Sequence, residues 1–297
     1  MEIHLVDLPL DRPGFRKFVS SWLLRDGDRT YLVDTGPMSS YPILKRAVEI
    51  LGGGRVDAVL LTHVHLDHGG AAGLLAREYA APVAAPGKGI AHLLDPEALW
   101  KGSLATLGET ALIYGKPVPV PEDRILPQGG LPPGFSSVDS PGHAPHHQCF
   151  VCEEAGQRIL FSGEAAGVFL EGVTPFPYLR PATPPRFFPE VTLESIRKLS
   201  GLGCSRICYG HFGAADRAGE MLRLAGEQIL FWKGQIRSLL ARGIRPVEEG
   251  KFLSCLLEED PLLEGFASLE PDIRERERIF LGNSIRGFLD AFAAGRA

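Results

Sequence analysis

Four residue types able to bind a metal ion crowd into six positions, His63-Val64-His65-Leu66-Asp67-His68. Neutral imidazole and carboxylate are the donors that zinc and similar divalent ions prefer. His63 and His65 lie two apart in an irregular turn and can point into one space. Asp67 and His68 follow closely enough to face a second ion beside it. Gly69-Gly70 then lets the backbone turn tightly and start a helix. The run comes directly after Val56-Asp57-Ala58-Val59-Leu60-Leu61-Thr62, a nearly continuous apolar stretch of the kind buried on both faces of a sheet. Solvated loop histidines have no reason to gather at the end of such a strand.

Three further donors repeat one local pattern, a strand, a glycine and then a ligand type. His143 ends Ser140-Pro141-Gly142-His143, Glu164 ends Phe161-Ser162-Gly163-Glu164, and His211 ends Ile207-Cys208-Tyr209-Gly210-His211. Ligands in α/β folds collect beyond strand ends. With the first cluster these make seven donors, enough for a two-metal site. Two cations lower the pKa of a shared water, so that hydroxide forms near neutral pH and attacks a carbonyl or a phosphorus. They also stabilise the oxyanion that develops. Asp67 is placed to orient the nucleophile and then pass a proton to the leaving group. No serine or cysteine nucleophile is required. Of the nine histidines, His4 and His92 are not read as ligands. His146 and His147 follow His143 closely, and His147 is expected to support the site or touch substrate. Tyr178, in a proline-rich loop after Glu164, is expected at the substrate wall as a hydrogen-bond donor to a bound carbonyl.

The order His63-x-His65-x-Asp67-His68, then His143, an acidic residue after a strand, and His211 resembles the metallo-β-lactamase superfamily. Val33-Asp34-Thr35-Gly36 is similar to that family's early motif, and the resemblance covers roughly residues 3–212. It implies an αββα sandwich, two mixed sheets face to face with helices outside and metals at one edge. It implies that His63, His65 and His143 hold one ion and Asp67, His68 and His211 the other. Position 164 would bridge them, and Asp34 would support the metal loop from behind. Glu164 departs from the aspartate usual there and leaves open whether the site holds two metals or one. Two divalent ions are expected, zinc first, with iron or manganese also suited to these donors. Ser140-Pro141-Gly142-His143-Ala144-Pro145-His146-His147 is similar to the corresponding loop of the glyoxalase-II-like branch. That resemblance implies a metal-dependent hydrolase of a small thioester, lactone or related ester. A mononuclear iron sulfur dioxygenase on the same fold is the alternative.

The elements that must carry these residues read as layered α/β. Val19–Leu24 and Thr30–Asp34 are strand-like on either side of Asp26-Gly27, a strong hairpin signal. Ser39 or Ser40 can cap a following helix that has Pro42 in its first turn. A helix is expected over 69–79 and a helical insertion over about 87–115. Strands follow near Val138, at Cys149–Cys152 and at Arg158–Phe161. Cys149 and Cys152 would point to opposite faces of their strand. The domain reading is residues 1–212 for the sandwich and 213–297 for a helical region packed on it. In that region Met221, Leu222, Ala225, Ile229, Trp232 and Ile236 recur at helical spacing. The alternating Arg274-Glu275-Arg276-Glu277-Arg278 run reads as a solvated helix face.

The net charge of −5 over 297 residues argues against a nucleic-acid binder. A small-molecule substrate is expected instead. No apolar run reaches the roughly 18 residues a membrane span needs. The first residues lack a basic segment followed by a long apolar one, so no signal peptide is expected. Five cysteines do not suggest a disulfide framework, and a cytoplasmic setting follows. Oligomeric state, a homodimer included, stays open.

Overall fold

The hairpin forms where Asp26-Gly27 places it, with Gly27 at φ +57°. In the computed structural model, which describes all 297 residues, β1 (Glu2–Asp7) and β2 (Ser20–Asp26) pair antiparallel, as do β2 and β3 (Arg29–Val33). β4 (Ala58–Leu60) and β5 (Val83–Ala84) then add in parallel, giving the order β1-β2-β3-β4-β5. α1 (Tyr41–Leu51) provides the crossover from β3 to β4. Ser40 precedes it, but its hydroxyl donates to Pro37 O and makes no cap bond, which corrects the capping expectation. The helix expected over 69–79 is two pieces, α2 (Leu66–Gly69) and α3 (Ala72–Glu78). The insertion is three helices, α4 (Ile90–Leu94), α5 (Glu97–Leu107) and α6 (Glu109–Tyr114).

The second sheet contains β6 (Phe135–Asp139), β7 (Gln148–Glu154) and β8 (Gln157–Gly163). β9 (Val168–Phe169) and β10 (Leu179–Arg180) form a separate small ribbon. α7 (Pro189–Ser200) leads into β11 (Arg206–Tyr209), which joins β8 in parallel, and β12 (Ala214–Ala215) closes the order β12-β11-β8-β7-β6. α8 (Ala218–Ala241), α9 (Glu249–Glu259) and α10 (Pro271–Ala293) complete the chain.

Strand alternation sorts the core into layers. Trp22, Leu24, Tyr31, Val33 and Leu60 of the first sheet meet Phe150, Cys152, Ile159, Phe161 and Cys208 of the second. Their neighbours Leu23, Leu32, Val59, Cys149, Val151 and Leu160 face outward into a larger core that includes Leu44 and Val48 of α1 and Ile196 of α7. Cys149 and Cys152 thus lie on opposite faces, and all five cysteines are free thiols. The result is the αββα arrangement. Trp22 Nε1 donates to Tyr209 O at 2.7 Å and ties the two sheets beside the ligand-bearing edge.

The same large core runs on through Phe15 and Phe18 to Trp232, Phe252, Phe266 and Phe288. The C-terminal helices therefore share their apolar interior with the sandwich. One expectation about them fails. Arg276 is 2% exposed and Glu277 is fully buried, so the alternating-charge run is a solvated face only at Glu275 and Arg278. No helix is long and apolar enough to cross a membrane.

Candidate metal centre

β4 ends at Leu60, and the next eight residues bring the first donors to the sheet edge. Asp34, just past β3, organises them from φ +58°, a left-handed conformation that aspartate tolerates better than most residues. Its Oδ1 accepts from Thr62 N at 2.8 Å, and its Oδ2 lies 2.8 Å from both Thr62 Oγ1 and His68 Nδ1. Thr62 Oγ1 in turn is 3.0 Å from His63 Nδ1. The outer nitrogens of His143 and His211 face backbone carbonyls, Ala182 O at 3.1 Å and Phe18 O at 3.3 Å. Each of these four rings has its Nδ1 occupied, which leaves Nε2 turned inward. His65 is turned the other way, with Nδ1 inward and 3.1 Å from His143 Nε2.

The inward atoms form two groups. His63, His65, His143 and Glu164 each bring one donor within 4.8 Å of the others, and so do Asp67, His68 and His211. Glu164 stands between the groups. Its Oε2 is 2.9 Å from His143 Nε2, 3.5 Å from His63 Nε2 and 3.4 Å from His68 Nε2, and its Oε1 is 3.3 Å from His211 Nε2. Asp67 Oδ2 lies 4.0 Å from His68 Nε2 and 3.9 Å from His211 Nε2.

The residues fit divalent ions on the chemistry of their donors. His63 Nε2 and His68 Nε2 are buried with no hydrogen-bond partner, a costly state that an ion would relieve. Burial and neighbouring imidazoles hold the His63 and His65 pKa values well below the ordinary histidine value, which keeps these rings neutral. Burial opposes charge on Glu164, but His143 and His211 outweigh it and keep the carboxyl well below its usual range. Burial also opposes charge on His68, but Asp34 and Asp67 raise its pKa well above the ordinary value.

Two of the three glycines of the repeated pattern, Gly163 and Gly210, have a steric reason at the centre itself. Gly163 sits at φ +51°, and a Cβ there would come within 2.5 Å of His147 Nε2 and 2.8 Å of Thr62 Oγ1. A Cβ on Gly210 would come within 2.9 Å of the His68 ring. His147 holds the backbone of Glu164: its Nε2 accepts from Glu164 N at 3.1 Å while Nδ1 faces Ser140 Oγ at 2.9 Å. Burial and His143 hold its pKa well below the ordinary value, as an accepting neutral ring requires.

Tyr178 is not at a substrate wall. It is fully buried, and its hydroxyl donates to Glu277 Oε2 at 2.9 Å. The hydroxyl is committed to α10, so nearness to Glu164 in sequence does not carry it to the donors. Tyr114 was missed. It ends α6, which packs on the short helix bearing Asp67 and His68. It is 1% exposed. Burial raises its pKa well above the ordinary tyrosine value, and the Asp67 and Glu164 carboxylates push it the same way. The only sequence signal was its place at the end of an insertion.

With this geometry in view, the family is defined by sequence as well as by shape. Residues 14–211 match the model of the metallo-beta-lactamase superfamily, about two thirds of the chain, and the protein belongs to that superfamily. It is 26% identical over 171 residues to a metallo-beta-lactamase fold-containing protein of Sulfurisphaera tokodaii, covering 54% of this chain and 61% of that one. It is 28% identical over 203 residues to an atrochrysone carboxyl ACP thioesterase of Aspergillus fumigatus, covering 66% and 50% respectively. A probable metallo-hydrolase of Bacillus subtilis is 29% identical over 160 residues, covering 54% and 64%. The chain thus spans half to two thirds of the length of these relatives. The fold is shared with a metallo-beta-lactamase family protein of Thermus thermophilus, at a TM-score of 0.57 and 23% identity over 99% of this chain and 93% of that one.

Proposed function

We propose that the chain is a two-metal hydrolase of a small thioester, lactone or related ester. The observation that carries this reading is the position of Glu164, whose two oxygens reach histidines of both donor groups. A carboxylate so placed supports two ions over the one-ion oxygenase alternative. His63, His65 and His143 would hold one ion, Asp67, His68 and His211 the other, with Glu164 shared. Bound ions of this kind polarise a carbonyl oxygen and lower the pKa of a water towards neutrality.

The chain's own residues supply the rest. His63 and His68 are fully buried, whereas the Asp67 side chain is 17% exposed. Asp67 is therefore a ligand that substrate and water can reach. Its free oxygen can take the proton of the attacking water and deliver it to the leaving thiolate or alkoxide. The products are then a carboxylic acid and a thiol or alcohol. Tyr114, on the helix packed against the one that carries Asp67, is the tyrosine we assign to the substrate carbonyl in place of Tyr178, whose hydroxyl is committed to Glu277.

We put thioesters first among the ester types, and the support for this is that one relative, 28% identical, is named a thioesterase. The decisive experiment is a panel of small acyl thioesters, lactones and aryl esters with zinc-loaded protein and with Asp67→Asn. Hydrolysis by the former that falls about a hundred- to ten-thousand-fold in the latter supports the reading. Equal rates in both would overturn the assigned role of Asp67, and no hydrolysis of any ester would overturn the substrate class.

A further inference from the structure

The charge-bearing segment of α10 sits where charge is expensive. Arg180, Arg276 and Glu277 are 3%, 2% and 0% exposed. Glu277 Oε1 accepts from Arg276 Nε at 2.9 Å, and its Oε2 accepts from Arg180 Nε at 2.6 Å and from the Tyr178 hydroxyl at 2.9 Å. Apolar side chains of similar volume would dock a helix at least as firmly. Beyond the mutual contacts of this buried triad, Arg276 and the helix that carries it reach the two segments behind the donors.

On one side the triad holds the loop behind His211. Arg276 Nη1 donates to Gly14 O at 2.5 Å and to Arg16 O at 3.1 Å. Its guanidinium carbon lies 4.3 Å from the centre of the Phe18 ring, and the His211 ring stacks on Phe18 at 4.3 Å with 10° between planes. Both cannot occupy one face, so Phe18 is clamped between the guanidinium and the imidazole. The Phe18 carbonyl is the acceptor for His211 Nδ1. On the other side the triad holds the segment behind His143. Arg180 leads directly into Pro181 and Ala182. Ser284 of α10 donates to Pro181 O at 2.8 Å, Thr183 donates to Ser284 O at 3.0 Å, and Ala182 O faces His143 Nδ1. His63 and His68 differ, because their outer partners Thr62 and Asp34 belong to the first sheet's edge.

We propose that Arg276 and Glu277 are positioning residues of the metal centre: one buried carboxylate and its arginines fix the carbonyls that orient His211 and His143. The C-terminal helices thereby set metal affinity as well as stability. The inference rests on the two-metal reading above. Groups that orient metal-bound histidines typically govern affinity ten- to a hundred-fold.

The test uses the full chain, stripped of metal by a chelator and titrated with Zn²⁺ alone against a chromophoric competitor, and with Co²⁺ for its visible spectrum. Arg276→Lys retains a charge beside Glu277 but cannot span both carbonyls and the ring. Phe18→Leu keeps the carbonyl and removes the stack. The control is Phe288→Leu, which opens a cavity on α10 against Phe187 and Trp232, neither of which makes a hydrogen bond or ring stack with the residues proposed to orient His211 or His143. The expected result is that Arg276→Lys and Phe18→Leu weaken the ion held by His211 about ten- to a hundred-fold. The Co²⁺ spectrum changes with them. Phe288→Leu, though less stable, binds as the unaltered protein does. Unchanged affinity in both test variants, or equal loss in Phe288→Leu, would overturn the inference. Uptake of fewer than two ions by the unaltered protein would remove the two-metal reading itself, and the inference with it.

Discussion

Glu164 reaches both donor groups on a stem one methylene longer than an aspartate's, and the surrounding donors are set at distances that suit that length. Glu164→Asp is therefore expected to keep the fold and one tightly bound ion while weakening the other about tenfold, measured by competition with a chelator. Tyrosines give a second contrast. Tyr114→Phe should lower kcat by about a hundred-fold or more, as removal of a single oxyanion donor does. Tyr178→Phe should change kcat far less than Tyr114→Phe does and lower stability by about 1–3 kcal/mol, because it strips a donor from buried Glu277. The reverse pattern in steady-state kinetics and denaturant titration would return Tyr178 to the cavity. The seven donors were legible because chemistry and spacing coincide in them: rare residue types, clustered after strands and glycines. Tyr114 and Tyr178 were not, since a tyrosine is an ordinary core residue and only the path of the chain decides which one ends beside the helix bearing Asp67.

Elements were legible where local forces decide them. The Asp26-Gly27 hairpin, the apolar β4 and the opposed faces of Cys149 and Cys152 all follow from turn chemistry and a two-residue period. The Arg274–Arg278 run misled for a physical reason. Sign alternation along a helix is a local pattern, whereas burial of Arg276 and Glu277 depends on carbonyls at Gly14 and Arg16 and on Arg180, all remote in sequence. The glycines that precede ligands carry a prediction at this scale. Gly163→Ala must accept φ +51° and a close approach to His147 and Thr62. It should cost about 1–3 kcal/mol. It should also loosen Glu164, whose amide His147 holds. Urea titration and metal content read the two effects separately, and a variant indistinguishable from the parent in both would refute the packing argument.

At the scale of the molecule, the sandwich and the C-terminal helices share one apolar core, so metal removal is expected to leave the protein folded. Circular dichroism of chelator-treated protein should keep its helical signal, with a lower Tm as mass action requires. The buried triad gives the stability a pH dependence. Burial alone would raise the Glu277 carboxyl, but Arg180 and Arg276 hold it at about 2 against an ordinary 4.5. A depressed carboxylate stabilises fully above its unfolded value and progressively less as pH falls towards its folded one. The contribution is thus complete above about 4.5 and lost between there and about 2. Glu277→Gln should lower Tm near neutrality and flatten its fall across that interval. A parallel fall in both proteins would contradict the assignment.

The central claim is that one carboxylate joins two metal sites. Its most direct measurement is elemental analysis of metal per chain, on protein purified without chelator and supplied with a modest excess of zinc. About two equivalents are predicted, the content of a two-metal hydrolytic centre. A single equivalent that stays at one under saturating zinc, or none at all, would contradict the account.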